Sequence, residues 1–147
     1  MSIAADLRAR REARIAEHID AENRFDVDAT LATMQAEPTY DVRAYDVVVE
    51  GHDNCAEFLA GHFTSLPGIV SKATRFYHAD DAVIVEVHVD GTHTGDIAGI
   101  PANGNAIDVD SIGIFFFAPD GDIILGEQVW ADMLKLTQQL NGEVPAS

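Results

Sequence analysis

A chain of 147 residues with 25 acidic against 9 basic side chains carries a formal net charge of -16, a field that repels phosphate backbones and anionic membrane surfaces. Nucleic acid and membrane are thereby disfavoured as partners. Apolar residues at 47% and charged residues at 23% suit one globular domain with a single core, and neither a signal peptide nor a run of about 18 apolar residues is visible, so cytoplasm is the expected location.

In chain order, Ala4 to Asn23 is rich in Ala, Arg, Glu and Ile, and Leu7, Ile15 and Ile19 share a face, which predicts a first amphipathic helix. Its basic residues alternate with Ala and Glu at helical spacing and read as a solvated face. Asp26 or Asp28 can cap a second helix over "ATLATMQAE", stopped by Pro38. "TYDVRAYDVVVEG" suits one or two short strands. Asp53 or Asn54 can cap a third helix with Phe58, Leu59 and Phe63 on its apolar face, ended by Pro67 and Gly68. Cys55, the sole cysteine, excludes an intrachain disulfide and reads as a small buried thiol.

From Ile69 the period changes to alternation. "IVSKATRFYH", "AVIVEVHVDGTH", "AIDVDSIGIFFFA" and "DIILGEQVWAD" are separated by turn signals and predict long antiparallel strands. "MLKLTQQL" can form a last helical turn or two, and 141–147 reads as a loose tail. The expectation is a single α+β domain over 1–147, with its core at about 4–140 and about three helices packed on a curved antiparallel sheet.

Several clusters could carry chemistry. Asp108 and Asp110 point to one face of their strand with Ile112, Ile114 and Phe116, as a pocket wall would, or else lie on an exposed strand end. Glu86, His88 and Asp90 alternate with valines, the pattern of a half-solvated sheet or a polar part of a dimer interface; the same series could bind a metal. Trp130 and Asp132 share a face: the indole can wall a ring-shaped ligand, and Asp132 can act as a base or cap the helix at Met133. His18 and Glu22 stand four apart on the first helix, a solvated pair or a ligand contact at a cavity mouth. Tyr40, Tyr45 and Phe63 suit either core or pocket wall. No phosphate loop, zinc spacing, nucleophile elbow or dinucleotide fingerprint is present.

The order of elements, with "GTHTG", "GIPANG", "FFFAPDGDI", "EQVWAD" and "LTQQL", resembles the SnoaL-like polyketide cyclases of the nuclear transport factor two-like superfamily. The resemblance implies a cone-shaped domain, a hydrophobic polyketide-like substrate, and an aspartate acting as general acid/base in an intramolecular aldol closure or an isomerisation, beside a histidine and without metal or cofactor. It also implies a homodimer formed through the open face of the sheet. His93 matches the family histidine, and the catalytic aspartate falls on Asp108, Asp110 or Asp132. The expected site is therefore the hairpin from Val87 to Asp110, with His93 and one aspartate meeting at the cavity. Two alternatives stay open: a noncatalytic ligand-binding or dimerisation module, and an epoxide hydrolase-like activity, for which Arg43 and Arg75 are poorly placed between aspartates.

Overall fold

The computed structural model describes residues 4–97 and 99–143, so Ala98 and most of the expected tail lie outside the described residues. Its elements are α1 (Ala5–Asn23), α2 (Val27–Ala32), β1 (Met34–Val42), β2 (Val47–Glu50), α3 (His52–Ser65), β3 (Val70–His78), β4 (Ala82–Thr92), β5 (Ala106–Phe116), β6 (Ile124–Ala131) and α4 (Met133–Leu140). The six strands form one sheet in the order β2-β1-β6-β5-β4-β3. All neighbours run antiparallel except β1 and β6, so the sheet is mixed. Register shifts within β3, between Ala73 and Arg75, and along the β1–β6 pair bend the strands, which helps the unclosed sheet curve around a hollow inner face.

Helix α1 packs on that inner face through Leu7, Ile15 and Ile19, as the spacing predicts. The same stripe carries two charged or polar side chains that are fully buried, Arg11 and His18. Arg11 donates to the carbonyls of Ala79, Asp80, Ala118, Pro119 and Gly121, so one guanidinium satisfies acceptors in both hairpin turns at this end of the sheet. Asp26 caps α2 by accepting from the Ala29 amide. The helix expected to continue to Glu37 instead ends at Ala32, and β1 begins at Met34. Helix propensity in "MQAE" gives way to strand pairing along β6, where Gln35 also donates to the Leu125 carbonyl.

Neither Asp53 nor Asn54 caps α3. The helix starts from Gly51, whose φ of 87° is a left-handed conformation that a residue without Cβ adopts freely. Cys55 and Leu59 are buried in the main core, with Phe58 and Phe63 packed against it. A second core forms where Leu136 and Leu140 of α4 cover Ile107, Val109 and Ile97. Asp132 caps α4 by accepting from the Lys135 amide, and Gln139 clasps the backbone of Asp108 with two hydrogen bonds of 2.9 Å. The last helical turn foreseen after Asp132 is thus a fourth helix, and it closes one end of the hollow.

Candidate active site

The curved sheet and helices α1, α3 and α4 enclose a cavity of about 160 Å³. Its walls are mostly apolar: Val87 and Val89 from β4, Ile107, Val109 and Phe115 from β5, Val129 from β6, and Phe58 and Leu59 from α3. Two carboxylates interrupt them, Glu22 and Glu127, together with the Tyr40 side chain. Glu127 projects inward because it shares the face of Val129 along β6. Gly113 leaves it room, since a Cβ there would meet Phe115 at 3.0 Å and Glu127 Oε1 at 3.4 Å.

His18 lies behind these groups and knits them together. Thr33 Oγ1 donates to the Thr30 carbonyl at 2.6 Å, which leaves it an acceptor for His18 Nδ1–H at 2.7 Å. The ring is thereby held with Nε2 facing Tyr40 Oη at 3.2 Å, Glu22 Oε1 at 3.3 Å and Glu127 Oε2 at 3.4 Å. Burial would lower the His18 pKa, but the carboxylates of Glu22 and Glu127 override it and hold the imidazolium up to about 10. Nε2 therefore carries a proton at neutral pH and acts as the donor, and the Tyr40 hydroxyl in turn donates to the Glu22 carboxylate. Burial raises the Tyr40 pKa well above that of a free phenol, with the two glutamates adding to it, which keeps that hydroxyl protonated.

Glu127 is 8% exposed, and its Oε2 is buried 3.4 Å from His18 Nε2. Burial raises its pKa, Glu22 raises it further, and the His18 imidazolium opposes the rise. The result is a buried carboxyl group in an apolar wall, paired with the His18 imidazolium. Burial also lowers the His62 pKa, so this imidazole at the α3 side of the cavity stays neutral near pH 7.

Among the residues singled out from sequence, His18, Tyr40 and Tyr45 belong to this region: Tyr40 and Tyr45 line the cavity, and His18 backs it. Glu22, paired with His18 in the sequence, also lines it, and the remaining candidates do not converge there. Along β5 the cavity takes Ile107, Val109, Ser111, Gly113 and Phe115, so strand alternation turns Asp108, Asp110, Ile112, Ile114 and Phe116 to the outer face. Trp130 stands on that outer face, 50% exposed, its indole donating to Gln128. Asp132 is committed to capping. Phe63 packs edge-on against Phe25 rather than lining the cavity. His93 is fully buried and its Nδ1 lies 3.0 Å from Asn103 Oδ1, while Asn103 donates to the Leu140 carbonyl; it ties the loop to the end of α4 and does not meet the aspartates at the cavity.

The outer aspartates instead surround His88, whose ring nitrogens lie 3.1 Å from Asp110, 3.4 Å from Asp108 and 4.0 Å from Asp90. Arg43 pairs with Asp41, and Arg75 lies over the Tyr77 ring, so neither joins the cavity. Glu127 is a cavity carboxylate that was not among the residues singled out from sequence. Its signal was parity: within "EQVWAD" it alternates in phase with Val129, opposite to Trp130.

With this geometry in place, comparison with known proteins fixes the family. None of the curated proteins matches the chain. Among solved structures, a SnoaL-like protein from Jannaschia sp. CCS1 superposes with a TM-score of 0.83 at 18% identity, over 99% of both chains. A protein of ketosteroid isomerase-like fold from Catenulispora acidiphila DSM 44928, crystallised with trimethylamine, gives 0.69 at 18% identity, over 87% of this chain and 92% of its own. TerC, co-crystallised with polyporic acid, gives 0.73 at 14% identity, over 90% of this chain and 98% of its own. At such identities these likenesses establish the fold, a small-molecule-binding architecture in those two relatives. The model of the SnoaL-like polyketide cyclases matches residues 13–140, nearly the whole chain, and the protein belongs to that family.

Proposed function

We propose that the cavity is an acid/base site that cyclises or isomerises a hydrophobic small molecule, with Glu127 as the proton-transferring carboxylate. The observation that carries this reading is the buried Glu127 carboxylate in an apolar cavity wall, paired with the His18 imidazolium at 3.4 Å and set beside the Tyr40 side chain. A carboxylate desolvated in this way is a stronger base than in water, which suits removal of a proton from carbon next to a carbonyl. Electrons from the broken C–H bond move to the carbonyl oxygen, and the enolate takes over from Glu22 the hydrogen bond of Tyr40 O–H. In an isomerisation Glu127 returns the proton to another carbon. In an aldol closure the enolate carbon attacks a second carbonyl of the same molecule, and the new alkoxide takes the proton from Glu127.

His18 is a positioning residue in this scheme. Its imidazolium faces the Glu22 and Glu127 carboxylates and its Nδ1 is anchored on Thr33, so it fixes the base without touching substrate. The chemistry assigned to Glu127 and Tyr40 needs no metal or redox group. Small molecules bound in the relatives crystallised with polyporic acid and trimethylamine agree with a ligand site inside this fold. The reading is tested by following α-proton exchange of phenylacetone in D2O by NMR. Wild-type protein should accelerate exchange and Glu127→Gln should not; equal acceleration by both would remove Glu127, and binding without acceleration would leave a noncatalytic ligand site.

The same reading includes a homodimer through the outer sheet face. Tyr77, Ile84 and Ile114 are successive register partners across β3, β4 and β5, and Ile112 faces Trp130 in the next row. Tyr77, Ile84, Phe116 and Trp130 are all exposed, which makes this an apolar patch for a second copy to cover. Sedimentation equilibrium should report a dimer, and monomer throughout the micromolar range would remove this part.

A further inference from the structure

The cavity that holds Glu127 is small for a member of a polyketide-cyclase family. Ligand pockets generally run to about 300–1,000 Å³, whereas a dry cavity of about 150 Å³ accommodates one benzene ring. At about 160 Å³ the inner chamber is of the size of a single ring rather than of a fused skeleton of three or four. It does not end blindly. Tyr45, Phe58, His62 and Leu66 line both this chamber and a larger open groove of about 690 Å³ between α3 and β2.

The groove differs from the chamber in chemistry. Glu50, Asn54 and Glu57 line it, and no Lys or Arg is found among the described residues lining either space. The two histidines nearby do not replace such a cation, because burial keeps His62 neutral and the His18 imidazolium is engaged by Glu22 and Glu127. A carboxylate or phosphate entering here would lose water and meet two or more carboxylates of like sign.

We propose that the substrate has two parts: a single-ring neutral head seated in the inner chamber against Glu127 and Tyr40, and a neutral or cationic extension lying past Phe58 and His62 in the groove beside Glu50 and Glu57. The inference rests on the acid/base reading only for what happens to the head. It implies that substrate arrives as a free uncharged or basic molecule, after any carboxylate or phosphorylated carrier has been removed or esterified by an earlier hydrolytic or transfer reaction.

Calorimetric titration with matched phenols tests it. 4-Propylphenol and tyramine share a ring and carry a neutral and a cationic extension; 3-(4-hydroxyphenyl)propionate carries an anionic one, and anthrone has three fused rings. The first two should bind, the propionate at least about tenfold more weakly, and anthrone only to Phe58→Ala, which opens the boundary between the spaces. The double variant Glu50→Gln, Glu57→Gln should narrow the gap between tyramine and the propionate. Anthrone binding to wild type as tightly as 4-propylphenol, or equal affinity for the propionate and tyramine, would overturn the proposal, as would failure of 4-propylphenol and tyramine to bind. Glu127→Gln separates the two claims: with phenol binding retained and proton exchange unaffected, the acid/base reading fails while the two-part site stands.

Discussion

A histidine stands among carboxylates on each face of the sheet, His18 brought by α1 and His88 by β4, and the two clusters differ in what surrounds them. On the inner face, fully buried His18 confronts Glu22 and Glu127 in an apolar cavity, with its ring orientation fixed by Thr33. On the outer face, the His88 side chain is 37% exposed, and Asp90, Asp108 and Asp110 approach it from a solvated surface. Contact distances are similar, at 3.3 and 3.4 Å inside against 3.1 and 3.4 Å for the closest outside pairs. Distance alone therefore does not identify a reactive cluster. Burial does, because it moves proton affinities away from their values in water.

The largest consequence of this difference concerns turnover. Glu127→Gln keeps the shape of the carboxyl and removes its basicity, and should lower the rate of proton exchange by about 10²–10⁴-fold. Asp110→Asn, an equally conservative change on the outer face, should leave that rate within about twofold. Comparable losses in both variants would erase the distinction between the faces and return the hairpin from Val87 to Asp110 to the position of candidate site.

That hairpin shows why the sequence revealed the architecture more readily than the site. Periodicity reports which residues share a face, and it correctly joined Leu7, Ile15 and Ile19 in the core and paired Asp108 with Asp110. It does not report which face turns inward when both carry apolar residues. In β5 the odd positions hold Ile107, Val109 and Phe115, while the even ones hold Ile112, Ile114 and Phe116, so either set reads as a wall. In β6 a lone Glu127 among apolar neighbours was less conspicuous than Trp130. His18 and Glu22 were visible as a pair, but their meeting with Glu127 depends on α1 crossing the sheet, a contact more than a hundred residues apart in the chain. The same limit hid the first half of β1, whose start at Met34 is set by pairing with β6.

Stability against pH sharpens the comparison. The His18 pKa rises from 6.5 in an unstructured chain to about 10 in the fold. Below 6.5 both states hold the proton, so this contribution to stability is fully present. Between 6.5 and about 10 only the folded chain holds it, so unfolding releases a proton and stability falls as pH rises. Thermal melts across this range should show the decline in wild type and in His88→Asn, and a flatter profile in His18→Asn. Equal slopes in the two variants would mean that the buried imidazole is not the group responsible.

A smaller effect is expected where the two faces share a strand. A Cβ at Gly113 would lie 3.0 Å from the Phe115 ring and 3.4 Å from Glu127 Oε1. Both neighbours would have to give way, so Gly113→Ala should cost about 1–3 kcal/mol by crowding and also slow proton exchange by displacing the carboxylate. Chemical denaturation and the phenylacetone assay measure the two effects separately. Ile112→Val, next along the strand but facing outward, should leave exchange unchanged; if it alone slows exchange, the inward parity assigned to β5 is wrong.

The smallest effect should come from the outer histidine itself. His88 has three carboxylates around it, a crowd of acceptors that looks on distance like a stronger site than the inner one. Water competes for each of these contacts: Asp110 is 83% and Asp90 59% exposed, and only Asp108, at 14%, is shielded. Asp108 is also held independently, since Gln139 bonds its backbone amide and carbonyl from α4. Removing the imidazole therefore leaves Asp90 and Asp110 in water and takes a partner only from the shielded Asp108, so little of the cost that follows when an ion-pair partner is lost from a buried charge is incurred. His88→Gln should change stability by no more than about 1 kcal/mol, and the change should shrink as ionic strength rises, because exposed charges are screened within about 10 Å at 0.1 M salt. A larger loss that persists in high salt would show that the cluster is shielded from solvent, as it would be if a second copy of the chain covered the outer face; repeating the measurement at low protein concentration, where a dimer dissociates, would then restore the small value.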